Sequence, residues 1–322
     1  MHALRLQALA LFDAITDAAI PEPAPDQVTV RLSAAAICGS DLPKVLSTAD
    51  PRSGRPGFPI HECVGHLVDV GSHTDLRPGQ RVLAMPVDEC GLAEIYPARR
   101  AATHPVRSEH LTDAQATLIQ PLATVLYALG KLAGKHAGVL GLGPIGLLCA
   151  HVLAQRGAHV TGVDPVGRDE AIATAFGLTH RLQDTASAWQ ASQHTARPVD
   201  ICVEAVGHQQ RTLRDAITIT RHSGIILAMG VPDDAEYVIP FETLLRKNLT
   251  LMTSITPPWQ TWFGPAEDYL CEHVDALSLL LTHEFPITEA ESAYRTYARP
   301  APDRLKVILT AAGGWTRTAA RP

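Results

Sequence analysis

The sequence predicts an α/β chain: a compact many-stranded β unit, then a doubly wound parallel sheet. Three observations predict it. Between Val28 and about Arg100, short apolar segments are broken by Gly and Pro. From about Thr112, β-branched runs alternate with helical connections. Between the two textures, the apolar run "AGVL" leads through "GLGPIG" into a helical segment. A chain of 322 residues holds about two such units.

Taken in order, "VTVRLSAAAI", "CVGHLVDVGS", "PGQRVLAMPV" and "LAEIYPA" read as short strands, because apolar runs bounded by Gly and Pro suit a folded-back β unit. "DAQATLIQPLATVLYALGKLAG" reads as one long helix. "AGVLGLG", "HVTGVD", "DICVEAVG", "SGIILAMG" and "NLTLMTS" then read as buried strands, with helical stretches such as "QQRTLRDAITITRHS" between them. Strand–helix alternation of this kind builds a parallel sheet with helices on its faces. The tail "FPITEAESAYRTYARPAPDRLKVILTA" holds a helix and a strand that fit either unit.

Composition removes several function classes. A net charge of -6 and a pI near 6.2 provide no electrostatic footprint for nucleic acid or an anionic membrane. The most apolar run, residues 137–154, contains Pro144 and His151, and its glycines suit a strand–turn–helix better than a membrane span. Acidic residues follow the short apolar stretch of the N-terminus at once, unlike a signal peptide's cleavage region. The six cysteines, at 38, 63, 90, 149, 202 and 271, form no CxxC pair. That usage fits a reducing compartment, with thiols buried or acting as ligands. The expectation is a soluble cytoplasmic protein.

In "GLGPIG", Gly141, Gly143 and Gly146 follow the G-x-G-x-x-G pattern around Pro144 and Ile145. The motif follows a strand and opens a helix, so each glycine has a task. Gly141 makes the tight turn, Gly143 lets backbone approach a pyrophosphate, and Gly146 lets helix and strand pack closely. The helix N-terminus offers N–H groups to the phosphates. Asp164 lies 23 positions after Gly141. Its carboxylate suits a ribose 2′-OH and repels a 2′-phosphate, which favours NAD; Arg168 nearby is the residue that would favour NADP. The alternative is an ordinary strand–turn–helix in which Asp164 caps a turn.

A second set of residues has metal-ligand chemistry. "CGSD" carries Cys38, Ser40 and Asp41, and "PIHECVGH" brings His61 and Glu62 23 residues after Cys38. A thiolate, an imidazole and a carboxylate form a zinc set with an open fourth position if a β fold brings them together. Taken singly, such residues are ordinary core or surface groups.

"CGSD" at 38–41, "P-x-HE-x-x-G" at 59–65, "PGQRV" at 78–82, "QPLA" at 120–123 and "GLGPIG" at 141–146 together resemble, in order, the zinc-dependent medium-chain dehydrogenase/reductase superfamily. The resemblance is strongest to its polyol (sorbitol) and threonine dehydrogenase branch, and "RHSGIILAMG", "RKNLTLMTS", "LLTHEFPITEAESAY" and "LKVILT" extend it over nearly the whole chain. It implies a GroES-like catalytic domain from residues 1–122 and 274–322, and a Rossmann NAD-binding domain from 123–273, with the active site between them. It implies one catalytic zinc on Cys38, His61 and Glu62, with Asp41 orienting the histidine and Ser40 passing the substrate proton outward. The implied reaction is hydride transfer between NAD and a secondary alcohol: a polyol, sugar derivative or amino alcohol. It also implies a homodimer or homotetramer built on sheet edges, with "SGIILAMG" and "YVIPF" as the candidate edges. Cys63 and His66 fall outside the pattern, as a core residue and a strand-surface residue.

Three departures stand out. The lobe with four closely spaced cysteines that binds a structural zinc in the family is missing, since only Cys90 lies in "VLAMPVDECGLAEIY". Gln120 stands where the family has a glutamate that reaches the zinc or its water. Ile60 replaces a glycine, and Pro43 a relay histidine, leaving Lys44 to face the cleft or the solvent. Trp259, Trp262 and Phe263 cover a substrate or pack in a core. Two other readings are a zinc-free NAD(P)H-dependent reductase of the same superfamily and a non-catalytic NAD-binding sensor.

Overall fold

The computed structural model describes residues 1–47, 49–130, 132, 134–192 and 199–315. The chain opens with a hairpin, β1 (Ala3–Ala8) and β2 (Leu11–Ile15). The apolar stretch at the N-terminus is therefore a strand, and Leu4 donates from its backbone to Leu92 at 2.8 Å to seat the hairpin on the β unit.

That unit is built on β3 (Gln27–Ala36), β4 (Glu62–Asp69), β5 (Arg81–Pro86) and β6 (Ile95–Pro105), all antiparallel neighbours. β3 also pairs with β6, so the four strands close on themselves and leave few free edges. Their inward residues, among them Val28, Val30, Cys63, Val82 and Tyr96, form one core with Tyr294 and Val307 from the tail. The long "helix" of residues 113–134 is broken: helices span Asp113–Ala116 and Ile119–Leu129, and Gly130 at φ 43 ends the second. Thr112 and Gln115 cap the first with a reciprocal pair of hydrogen bonds.

The second sheet holds β7 (His136–Leu140), β8 (His159–Val163), β9 (Leu178–Leu182), β10 (Val199–Glu204), β11 (Thr220–Ala228) and β12 (Thr250–Thr253). All are parallel, in the order β12-β11-β10-β7-β8-β9. This is the doubly wound order with its switch point between β7 and β10, the place where such sheets bind ligands beyond their strand ends. Both candidate edges need correcting. "YVIPF", residues 237–241, lies in no strand and leads into the helix Phe241–Arg246. "SGIILAMG" lies in β11, which is paired on both sides by β10 and β12, so it is no sheet edge. Its uninterrupted apolar run marks an interior strand.

The tail returns to the first unit. β13 (Leu281–Pro286) runs parallel to β14 (Lys306–Thr310), and β14 pairs antiparallel with β3. A buried anion further joins the two halves. Glu267, on helix Trp259–Glu272, is 1% exposed. It accepts from the backbone N–H of Arg107 (2.7 Å) and Ser108 (2.9 Å), from Arg107 Nε (2.8 Å) and from His104 Nε2 (2.8 Å). Burial opposes its charge, but His104, Arg107 and the two backbone donors outweigh it and hold the carboxyl down to about 2. Because the folded pKa lies below the ordinary 4.5, this stabilisation is complete above about 4.5 and fades as pH falls toward about 2. Glu267→Gln is expected to lower stability at pH 7 by about 2–4 kcal/mol. Urea midpoints of both proteins at pH 7 and pH 3.5 check this: the gap should shrink at the lower pH, and an equal gap would refute the assignment.

Candidate active site

The register of β3 and β4 builds the first part of the site. Ala36 pairs with Glu62, so the residues just after β3 and just before β4 meet at one end of the barrel. Cys38, His61 and Glu62 there offer ligand atoms that all lie within 4.8 Å of one another, the one such group among the described residues. Ligand-to-ligand edges of a tetrahedral zinc site are roughly 3.3–3.8 Å, so the three lie near the spacing that such a site needs.

Asp41 stands behind them, fully buried on the 3₁₀ turn Gly39–Asp41. Its Oδ2 accepts from the backbone N–H of Cys38 at 2.9 Å, and its Oδ1 lies 3.1 Å from His61 Nδ1. Neither Oδ1 nor Nδ1 has a well-directed hydrogen bond, although both are buried. Burial opposes protonation of His61, but Asp41 and Cys38 outweigh it and hold the imidazole well above its usual pKa. A metal at Nε2 would displace that proton. A thiol, an imidazole whose far nitrogen faces a carboxylate, and a buried carboxylate together fit Zn²⁺.

Sequence reasoning did not identify Lys306. It opens β14, which lies beside β3, so its side chain crosses to Glu62. Lys306 Nζ donates to Glu62 Oε2 and, at 3.4 Å, to the Ile37 carbonyl. Burial opposes the ammonium, but Glu62 and Cys38 outweigh it and keep Lys306 charged. The cation takes one oxygen of Glu62 and leaves Oε1 for other partners. A lysine inside the apolar run "LKVILT" was the available signal.

Ser40 is half-buried on the same turn as Asp41, and Gln120 is buried in the first turn of helix Ile119–Leu129. Cys63 lies wholly in the β core, where burial pushes its thiol pKa well up. His66 is exposed and meets Ser33 Oγ at 3.1 Å. Lys44 turns toward Asp41 and Glu89. Phe263 is fully buried and stacks on Trp259, while Trp262 meets the edge of Tyr127, so this aromatic group packs against the core.

The second part of the site lies at the switch point of the parallel sheet. A cavity of about 460 Å³ there is lined by Gly141, Gly143, Asp164 and Arg168, among others. Gly141 has φ 89, a turn that L side chains avoid. Gly143 caps helix Pro144–Gln155, with Pro144 and Ile145 in its first turn, and a Cβ placed there would meet nothing within 4 Å. The backbone at Gly143 is therefore open to a phosphate, which fits the diphosphate of a dinucleotide. Asp164 Oδ2 accepts from Leu142 N–H at 2.6 Å and Oδ1 from Val166 N–H at 2.7 Å, so the carboxylate is held in place beside the cavity. Arg168 is buried. Its Nε donates to the Leu142 carbonyl (2.9 Å) and its Nη1 to those of Ala301 (2.8 Å) and Pro302 (3.0 Å), tying the glycine loop to the returning tail.

A further acid went unnoticed in the sequence. Glu204, at the end of β10, accepts from Val206 N–H (2.9 Å), Gly207 N–H (3.1 Å) and Thr212 Oγ1 (2.9 Å). It borders a second cavity of about 570 Å³ with Tyr127, Met229 and Ser254. An acid closing the apolar strand "DICVE", as Asp164 follows "HVTGV", was the signal.

Two family models match the chain: "Alcohol dehydrogenase GroES-like domain" over residues 24–108 and "Zinc-binding dehydrogenase" over residues 144–269. Galactitol 1-phosphate 5-dehydrogenase of Escherichia coli K12 is 26% identical over 89% of this chain and 94% of its own length. L-threonine 3-dehydrogenase of Coxiella burnetii is 24% identical over 85% of this chain and 89% of its own. Among solved structures, an alcohol dehydrogenase from Escherichia coli CFT073 complexed with NADH superposes with a TM-score of 0.80, at 20% identity over 96% of this chain and 99% of that one.

Proposed function

We propose a hydride-transfer enzyme on the following premise: the chain belongs to the zinc-dependent medium-chain dehydrogenase/reductase superfamily, in its polyol and threonine dehydrogenase-like branch. It is an alcohol dehydrogenase acting on CH–OH donors, moving a hydride between a secondary alcohol and a nicotinamide dinucleotide. The observation that carries the reading is the convergence of Cys38, His61 and Glu62 at the ends of β3 and β4.

Those three residues would hold one zinc, which when bound supplies Lewis acidity at the alcohol oxygen. Asp41 Oδ1, 3.1 Å from His61 Nδ1, would favour turning Nε2 toward the metal. Ser40, on the turn between Cys38 and Asp41, relays the hydroxyl proton outward, accepting it as its own hydroxyl proton passes to water or a cofactor hydroxyl. Gly141, Gly143, Pro144 and Ile145 would hold the dinucleotide's phosphates, with Gly146 packing the helix close to its strand, and Asp164 would accept from the ribose. The division at 122/123 and 273/274 belongs to the same proposal, as does the lack of a structural zinc, for which Cys90 is a lone thiol in its segment. Six free cysteines support a reducing, cytoplasmic setting.

NAD is favoured over NADP because Asp164 presents an anion at the cavity while Arg168 is engaged on carbonyls. Asp164→Ala is expected to weaken NAD about tenfold or more and leave NADP less affected, so the preference narrows. Fluorescence titration with both reduced cofactors checks it, and a native preference for NADP would reverse the assignment. A homo-oligomer forms through the free edge of β12, beside exposed Val238, Phe241, Leu245 and Ile255. Light scattering on the native protein and on Phe241→Asp tests that, and a monomeric native protein would refute it.

The test of function is a metal assay on protein purified without added zinc, beside a screen of polyols, amino alcohols and sugar derivatives read by NADH absorbance. About one zinc per chain with turnover of a secondary alcohol is expected. Metal-free protein that turns over an activated alkene instead would overturn the reading.

A further inference from the structure

Outward from the metal cluster, the side chains alternate in sign. His61 Nδ1 lies 3.1 Å from Asp41 Oδ1, and the same oxygen lies 3.7 Å from Lys44 Nζ. Lys44 Nζ in turn lies 2.7 Å from Glu89 Oε2, and Arg52 Nη1 stands 3.3 Å from that oxygen. Arg52 is itself paired with Asp50 at 2.7 Å and lies over the Phe58 ring. Asp41 is fully buried, and the side chains of Lys44 and Glu89 are only 17% and 27% exposed, so their charges are incompletely screened.

The segment that carries Glu89 is held tightly. Asp88 and Glu89 both adopt the left-handed region, at φ 54 and 62, which L residues rarely enter. Such a conformation persists only where neighbours impose it. Here the Glu89 carbonyl accepts from Ile60 N–H at 2.7 Å, on the residue next to His61, while its carboxylate meets Lys44. Glu89 is thus tied to the metal cluster through its backbone and through its side chain.

A carboxylate behind a ligating histidine sets how strongly the imidazole donates to the metal. Asp41 divides its charge between His61 and Lys44, and Lys44 divides its charge between Asp41 and Glu89. We propose that Lys44 and Glu89 are positioning residues whose opposed charges, acting through Asp41 on His61, set the zinc affinity of the Cys38–His61–Glu62 site. The proposal rests on the zinc reading of that site. It assigns Lys44 to the metal's surroundings instead of to a substrate anion or to solvent.

The charge argument predicts opposite signs. Lys44→Met removes the cation that competes with His61 for Asp41, so zinc should bind about three- to tenfold tighter. Glu89→Gln leaves Lys44 unbalanced beside Asp41, so zinc should bind weaker by about the same factor. The double variant should return to within about twofold of the native protein, and Lys44→Arg should keep native affinity. Zinc affinity is read by chelator competition on the full-length protein, with thermal midpoints recorded alongside.

A merely structural pair would loosen zinc in both single variants, and that outcome overturns the proposal. Native protein that binds zinc, with unchanged affinity in all four variants, also overturns it while leaving the zinc site standing. Native protein that binds no zinc overturns the zinc reading and this proposal with it.

Discussion

Cys38→Ser is expected to lose bound zinc and to lower turnover of a secondary alcohol by roughly three orders of magnitude, the scale of several kcal/mol of Lewis-acid stabilisation. Zinc binds the thiolate, and a serine hydroxyl keeps its proton at neutral pH and is a poor replacement. The exchange is nearly isosteric at a half-buried position, and the backbone N–H of residue 38 still donates to Asp41. The barrel should therefore stay folded. Dinucleotide binding should persist too, because Gly141, Gly143 and Asp164 belong to the other sheet. Metal analysis, alcohol turnover and NADH titration on the same preparation separate these effects. Full activity in metal-free Cys38→Ser would refute the role of the cluster.

The second large effect contrasts two glycines three residues apart. A Cβ on Gly146 would fall 1.8 Å from the Gly141 carbonyl oxygen and 3.3 Å from Val139 Cγ1. The obstacle is backbone in a tight turn, so Gly146→Ala must push the helix off β7. A loss of about 3 kcal/mol or more is expected, with poor recovery of folded protein. A Cβ on Gly143 meets nothing within 4 Å, so Gly143→Ala should fold with stability within about 0.5 kcal/mol of native. Its methyl group would occupy the space that a diphosphate needs, and NAD affinity should fall on the order of a hundredfold. Urea unfolding and NADH titration distinguish the two. Unchanged NAD binding in Gly143→Ala would mean that this loop does not cradle phosphate.

Much of this architecture was legible in the sequence because its signals are local. The strand–glycine–helix of residues 137–155 and the acid after β8 sit in one contiguous unit, where spacing translates directly into position. The four barrel strands could be read from apolar runs between Gly and Pro. β9 could not. Its pattern has three exposed residues between two half-buried ones, because it is an edge strand with little apolar surface to bury. The β1–β2 hairpin also escaped notice, since its short apolar run becomes a strand only by docking on Leu92. The break at Thr117 and Leu118 was masked by helix-forming neighbours on either side.

Among the candidate ligands, the residue types and their chain order were visible, but their meeting depended on the β3–β4 register, 26 positions apart at Ala36 and Glu62. The sequence by itself determined two units, a dinucleotide-type loop with its acid, and a thiol, imidazole and carboxylate available for one metal. Tertiary structure alone decided which charges are buried together. Lys306 reaches Glu62 across 244 positions, Glu267 joins Arg107 across 160, and Lys44 faces inward to Asp41 and Glu89. A charged side chain reads as solvated in a sequence because water is its default partner. Only the folded chain removes that water and supplies the opposite charge, and both the loss and the replacement depend on strands that are distant in sequence.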